Sequence, residues 1–209
     1  MTPLPRRLAP LPMLILLQLP LGALVPGIGV TAQIARELIF WLLSILLLFH
    51  VRVLERRPLS SIGLAAPTKQ SLVWGLACGS TIIAGGIVLF EVILPALGLA
   101  EDPDAVQMID DLPAWLRVFM VLRAPWFEEL VYRGFAIERL TEMAGLRWLA
   151  AILSLACFTY AHLDYWGWVH LIFVGFAALL LTGLYLWRRD LAACMIAHLV
   201  TDGVGMLVG

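Results

Sequence analysis

Long apolar runs dominate this chain and constrain its fold more than any other feature. A helix needs about 20 apolar residues to cross the hydrocarbon core of a bilayer. Hydrophobic residues make up 62% of the sequence and charged residues only 14%, against roughly 45–50% and 25% in soluble domains. The sequence therefore predicts an all-α integral membrane protein with a single domain over residues 1–209. We expect about seven transmembrane helices, at approximately 11–30, 36–54, 71–98, 114–139, 147–164, 168–187 and 190–208.

The first apolar run allows two interpretations. Arg6 and Arg7 precede it, as basic residues precede the apolar part of a signal peptide. Three prolines, Pro12, Pro20 and Pro26, interrupt the run. Because no small-x-small cleavage site precedes the next polar residues, we favour a retained and kinked first span.

Basic residues lie in alternate connections between the runs, which predicts the orientation of the bundle. The positive-inside rule assigns such connections to the cytoplasm. The acidic segment 101–111 falls in a connection of the opposite set, and we interpret residues 100–113 as a solvated connector rather than a surface helix. The N-terminus is therefore predicted to be cytoplasmic. The ten basic residues assigned to the cytoplasmic side are Arg6, Arg7, Arg52, Arg56, Arg57, Lys69, Arg139, Arg147, Arg188 and Arg189.

The fourth run contains Glu128, Glu129 and Arg133 in an otherwise apolar setting. Each charge at the centre of a membrane helix costs about 2.5–3.5 kcal/mol before any pairing. Residues four apart share one face of a helix, so Glu129 can pair with Arg133. The other glutamate is then free to act as a general base. A structural ion pair between helices is the alternative interpretation of this group.

His162, His198 and Asp202 are the other ionisable residues predicted to face the bundle interior. At about 1.5 Å per residue, they reach a depth similar to that of Glu128, which indicates one shared site on three helices. His50 and His170 lie near the ends of their runs and are interpreted as interfacial residues. A GxxxG pair, Gly75 and Gly79, predicts close packing within the bundle.

Several known types of intramembrane protease lack their signature here. The chain has no HExxH motif, no GxSxG motif and no GxGD-type aspartyl pair. The three cysteines stand singly in apolar runs and form no CxxC pair. A glutamate pair, an arginine and two histidines remain as the groups that could carry chemistry.

These groups form three motifs that together resemble the CPBP family of intramembrane proteases. That family includes the CAAX prenyl endopeptidases and bacterial Abi-type relatives. Its EExxxR motif is matched by Glu128, Glu129 and Arg133, and its FxxxH motif by Phe158 and His162. The third motif, HxxxN or HxxxD, is matched by His198 and Asp202. The resemblance covers about residues 56–208, which form a protease-like core region.

The resemblance implies a membrane endopeptidase that hydrolyses a peptide bond of a membrane-associated protein or peptide, as in CAAX-box processing. Glu128 would activate a water molecule, with His162 holding that water or a metal ion. His198 and Asp202 would stabilise or orient the oxyanion, and Glu129 would pair with Arg133. Relatives of the prenyl-endopeptidase type carry Asn where this chain has Asp202. Because an ionised Asp cannot donate a hydrogen bond, Asp202 is expected to orient His198 or to join a metal shell.

The family resemblance also favours a divalent metal ion, held by Glu128, His162 and His198. Two histidines, a carboxylate and a water satisfy the preference of zinc for three protein ligands and one open position. The same groups serve a metal-free glutamate mechanism, so both mechanisms remain open at this stage.

Two other functional classes compete with the protease. One is a non-catalytic binding or immunity protein of the same fold, which has little need of a base, an arginine and two histidines at one depth. The other is a proton-coupled transporter, whose expected repeat is not visible. A net charge of −1 gives no indication of nucleic acid as a partner. We expect the protein to lie in a bacterial inner membrane, with the lipid bilayer and a membrane-associated protein or peptide substrate as its partners.

Overall fold

The protein is described by a computed structural model that covers residues 10–19, 24–27 and 29–207, with the backbone alone for residues 104–106. Every regular element in these ranges is helical. The chain forms α1 (Leu11–Gln18), α2 (Val30–Leu54), α3 (Lys69–Ala96), α4 (Pro103–Asp110), α5 (Ala114–Glu128, Glu129–Ala136 and Ile137–Ala144 in succession), α6 (Arg147–Tyr160), α7 (Leu163–Arg188) and α8 (Leu191–Leu207). A short 3₁₀ turn, Leu59–Ile62, lies between α2 and α3.

The predicted all-helical membrane bundle is confirmed. Within the described residues, α2, α3 and α7 are long and apolar enough to cross a membrane, and α6 and α8 are shorter apolar helices. Helix α5 has the length of a span but carries the charged group of the fourth run. Helix α1 has only eight residues, and the rest of the predicted first span lies partly outside the described residues.

The predicted cytoplasmic connections meet at one end of the bundle. Arg139 contacts Glu55 at 2.6 Å, which joins the end of α5 to the end of α2. Arg189, between α7 and α8, contacts Glu138 at 2.8 Å. The acidic connector differs from the prediction, because its residues Pro103–Asp110 form the short helix α4. Which end of the bundle faces the cytoplasm stays a prediction from charge.

The GxxxG pair of α3 packs against α8, which confirms the predicted internal contact. A Cβ atom added at Gly75 would lie 2.8 Å from the carbonyl oxygen of Ala193, and one at Gly79 would lie 2.8 Å from that of Ala197. The missing side chains therefore let the two helix backbones approach each other. This contact holds α8, and with it the HxxxD motif, at a fixed distance from α3.

The middle of α5 is a π-helix over Glu129–Ala136, and all eight of its residues are buried. The wider turn changes which side chains face inward, as π segments often do at functional sites. Ser154 of α6 donates a hydrogen bond to the carbonyl oxygen of Tyr132 at 2.6 Å, which ties α6 to this segment. Gly134 allows the 3₁₀ turn to approach, since a Cβ there would lie 2.9 Å from the Ile62 carbonyl oxygen.

Candidate active site

The structure brings the three predicted motifs into one cluster. Glu128 lies at the junction between the α-helical and π-helical parts of α5. Its Oε2 atom is 3.7 Å from His162 Nε2 and 3.8 Å from His198 Nε2. The carboxylate thus faces both histidines, which come from α8 and from the end of α6. The residues predicted to reach one depth on three helices therefore lie close together.

Glu129 forms the buried part of the cluster. Arg133 Nη1 donates to Glu129 Oε1 at 2.8 Å, so the predicted pairing at four-residue spacing is present. His198 Nδ1 lies 2.8 Å from the same oxygen. The side chains of Glu129 and Arg133 are 0% and 1% exposed. Glu129 Oε2 has no hydrogen-bond partner among the described residues, which makes Arg133 and His198 the groups that stabilise this charge.

His198 is oriented by carboxylates on two sides. Because a carboxylate oxygen only accepts, the contact with Glu129 requires a proton on His198 Nδ1. On its other side, His198 Nε2 lies 3.4 Å from Asp202 Oδ2. Asp202 is therefore placed beside the imidazole of His198, as expected for a residue that orients it. A doubly protonated His198 would have acceptors for both of its N–H groups.

His162 is oriented by the backbone of its own helix. Its Nδ1 lies 2.8 Å from the carbonyl oxygen of Phe158, so Nδ1 carries the proton and Nε2 is left for Glu128. The Phe158 ring lies under the Arg133 guanidinium, 4.3 Å from its central carbon, and packs edge-on against Tyr132. The phenylalanine of the FxxxH motif thus contacts side chains of the EExxxR segment as well as the histidine of its own motif.

Exposure divides the site into two layers. Glu128, His162 and Asp202 are 14%, 21% and 21% exposed, whereas Glu129 and Arg133 are sealed. Helix α6 is short: its 14 residues extend about 21 Å, less than the roughly 30 Å of the hydrocarbon core. His162 follows the end of this short helix. The helix resumes fully only after Gly167, whose φ of 72° breaks the start of α7.

Two charged residues of the site were missed in the sequence interpretation. Arg123 Nη1 donates to Glu128 Oε1 at 3.1 Å, and the same guanidinium is bound by Glu37 of α2 at 2.8 and 2.9 Å. Their charge within predicted membrane spans could have identified both residues as candidates for the site. They belong to no motif, and the pairing could not be predicted because the two residues are far apart in the sequence.

The remaining histidines lie away from the cluster. His50, at the end of α2, is buried against Phe135 and lies 3.4 Å from Glu55; its location at the membrane interface stays a prediction. His170 stacks between Trp166 and Phe90, and its Nδ1 contacts Glu101. It therefore links α7 to the segment before α4 and contributes no atom to the site.

The charge balance of the cluster is negative. Four carboxylates, of Glu37, Glu128, Glu129 and Asp202, face the two guanidiniums of Arg123 and Arg133. With neutral histidines the formal sum is −2. Among the described residues, no group of three His, Cys, Asp or Glu side chains has the arrangement that could hold a metal ion. The histidine and carboxylate side chains are of the types that bind zinc, but they do not have the geometry of a zinc site.

These features define a class: a polytopic helical membrane protein with a partly accessible carboxylate and histidine site in its interior. Residues 110–204 match the family model described as type II CAAX prenyl endopeptidase Rce1-like. This region therefore belongs to the Rce1-like family, which confirms the family predicted from the three motifs. The match includes every motif residue and excludes α2 with Glu37. Members of this family are intramembrane proteases. No curated protein and no solved structure matches the chain significantly.

Proposed function

We propose that this protein is an intramembrane endopeptidase of a bacterial inner membrane that hydrolyses a peptide bond in a membrane-associated protein or peptide. The observation that carries the proposal is the position of Glu128. Its Oε2 atom faces two imidazoles in the accessible layer, while Arg123 occupies only its other oxygen. A carboxylate in this position can accept a proton from a water molecule.

In the proposed reaction, a water molecule lies between Glu128 and His162. Glu128 takes one proton as the water oxygen forms a bond to the carbonyl carbon of the scissile peptide. The carbonyl becomes an oxyanion, which accepts a hydrogen bond from protonated His198 at Nε2. Glu128 then passes its proton to the amide nitrogen, the C–N bond breaks, and an acid and an amine leave. Glu129 and Asp202 stabilise the imidazolium of His198 throughout.

As an alternative to the proton on His198 Nε2, we propose a divalent ion, with zinc as the first candidate, because a neutral imidazole nitrogen can bind a metal instead. Glu128, His162 and His198 would hold it, since both imidazoles use Nδ1 elsewhere and direct Nε2 towards Glu128. A bound ion would polarise the scissile carbonyl and acidify the attacking water. With neutral histidines, the formal charge of −2 at the site would be balanced by such a dication.

Substrate access is proposed from the side where α6 is short. A polypeptide held in a membrane could approach His162 and Glu128 there without crossing the sealed layer of Glu129 and Arg133. The family name points to CAAX tails as one substrate class. A transmembrane or leader peptide without a lipid group is the other class to be compared.

The test is cleavage by the purified protein in liposomes of two substrate sets, a prenylated CAAX peptide and a library of single-span peptides, read by mass spectrometry. Glu128→Gln removes the base and should lower kcat by at least about 100-fold. His198→Ala removes the oxyanion donor and should lower kcat by about 100-fold or more. Glu91→Gln is the matched control, because Glu91 is an exposed glutamate of α3, and it should cleave like wild type.

Wild-type activity in Glu128→Gln would refute the mechanism. Stoichiometric capture of a peptide by wild type, without a cut product, would instead support the non-catalytic binding protein. The metal is tested separately by elemental analysis of wild type and of His162→Ala/His198→Ala. We expect about one equivalent in wild type, as for a three-ligand site, and less than a tenth of that in the double variant.

A further inference from the structure

An ion pair outside the three motifs makes direct contact with the proposed base. We propose that Arg123, held by Glu37, is a positioning residue that fixes the Glu128 carboxylate with one oxygen turned to the histidines. This inference rests on the proposed function. Both residues of the pair are buried, with side chains 8% and 0% exposed. Neither belongs to the EExxxR, FxxxH or HxxxD motif.

The guanidinium of Arg123 is divided between the two carboxylates in a defined way. Its Nε donates to Glu37 Oε2 at 2.8 Å and its Nη2 donates to Glu37 Oε1 at 2.9 Å. Only Nη1 reaches Glu128, at 3.1 Å from Oε1. Gln33, one turn before Glu37, donates to Glu37 Oε1 at 3.0 Å. Phe40 lies 4.5 Å from the guanidinium carbon and limits its movement.

This division determines what Glu128 can do. A planar guanidinium prefers to bind one carboxylate with two parallel hydrogen bonds. Glu37 occupies that two-bond edge, so Arg123 gives Glu128 a single bond. Glu128 Oε2 therefore remains free towards His162 and His198. Without Glu37, the guanidinium could turn its two-bond edge to Glu128, cover both oxygens and weaken it as a base.

A purely structural ion pair between α2 and α5 would need only the two bonds to Glu37. The third bond, to Glu128, connects the pair to the chemistry. Because Glu37 lies outside the family-matched region 110–204, α2 would thus set the position of a base that the family core supplies. The consequence is a specific pattern of non-additive mutations, in which loss of Glu37 harms the reaction through Arg123.

The experiment measures kcat and KM in liposomes for Glu37→Gln, Arg123→Gln and the double variant. A displacement of about 1 Å at a reacting group can cost about 100-fold in rate, so we expect each single variant to lose about 10- to 100-fold in kcat with KM within about twofold. The double variant should be no slower than Arg123→Gln alone. Multiplied losses in the double variant, or a wild-type kcat in Glu37→Gln, would overturn the inference.

Two further variants keep the test decisive. Arg117→Gln changes another arginine of α5, which contacts Asp110 and the Met206 carbonyl oxygen instead, and it should retain wild-type kcat. If the glutamine variants do not fold, Arg123→Lys replaces them. Lysine keeps the charge but lacks the planar fork, so kcat should still fall at least about tenfold; a wild-type value would overturn the inference.

A wild type that cleaves nothing refutes the proposed function itself, whereas an active wild type with an unaffected Glu37→Gln refutes only the positioning role.

Discussion

Replacing Arg133 with methionine should destabilise the protein strongly, whatever reaction it catalyses. Arg133 is 1% exposed and forms the 2.8 Å ion pair with fully buried Glu129. Methionine fills much of the same volume but leaves Glu129 with one remaining donor, His198 Nδ1. The substitution therefore tests whether the buried layer of the site is held together by charge pairing.

The expected loss follows from two contacts. A hydrogen bond to a charged group contributes about 1.5–3 kcal/mol. The contact of Arg133 with the Phe158 ring, at 4.3 Å, contributes about 0.5–2 kcal/mol. Their sum agrees with the roughly 3–5 kcal/mol measured when one partner of a buried ion pair is removed. For a chain of this length, a loss of 3 kcal/mol lowers Tm by about 6–12 °C.

The assay is thermal unfolding of wild type and variants in the same detergent or bicelle, followed by circular dichroism. The decisive comparison is Arg133→Met/Glu129→Gln, which also removes the orphaned charge. Because the cost lies mainly in the unpaired carboxylate, the double variant should unfold at a higher temperature than Arg133→Met. A double variant less stable than the single one, or a single variant within about 2 °C of wild type, would refute the reasoning.

Three further predictions concern packing and hydrogen bonds. Gly75→Leu should lower the unfolding free energy by about 1–3 kcal/mol, because the new Cβ would lie 2.8 Å from the Ala193 carbonyl oxygen. Ser154→Ala should cost about 1–3 kcal/mol, since it removes the 2.6 Å hydrogen bond to the Tyr132 carbonyl oxygen. Tyr185→Phe should cost about 1.5–3 kcal/mol, because the buried hydroxyl donates to the Glu138 carboxylate at 3.1 Å. Each is measured as a shift of the unfolding midpoint in the same bicelle.

The chain provides matched controls for these changes. Gly183→Leu introduces the same side chain on a helix where no atom lies within 4 Å of the new Cβ, so its midpoint should stay near that of wild type. Thr81→Val removes an exposed hydroxyl that bonds within its own helix and should cost less than about 0.5 kcal/mol. If Gly183→Leu were as destabilising as Gly75→Leu, close approach of α3 and α8 could not be the cause.

Periodicity and spacing were informative wherever the interaction is local or repeats regularly. The apolar runs required helices, because a chain in lipid must satisfy its backbone hydrogen bonds within each segment. The four-residue spacing of Glu129 and Arg133 required a shared face, and the observed ion pair follows from it. The GxxxG pair likewise indicated a close helix contact, although it did not name α8 as the partner.

Contacts between distant segments could not be read in the same way. Glu37 and Arg123 are separated by 86 residues, and nothing in their local sequence specifies the pairing. The contact of His50 with Phe135 is a second example, since it depends on how α2 packs on α5. The helix α4 was ranked below a solvated connector, because a short polar helix of eight residues has little intrinsic stability and forms through its packing.

The sequence by itself determined that this protein is a helical membrane bundle, and it identified the motif residues through their spacing and the cost of placing charge in lipid. Only the tertiary structure decided how those residues divide into roles. The fold buries Glu129 together with Arg133 and leaves Glu128 partly accessible beside His162 and His198. It also places Arg123, which is paired with Glu37, in contact with the Glu128 carboxylate. The physical reason is that the stability and the reactivity of each charged group depend on its burial and on its partners. Both are determined by how helices that are far apart in the sequence pack together.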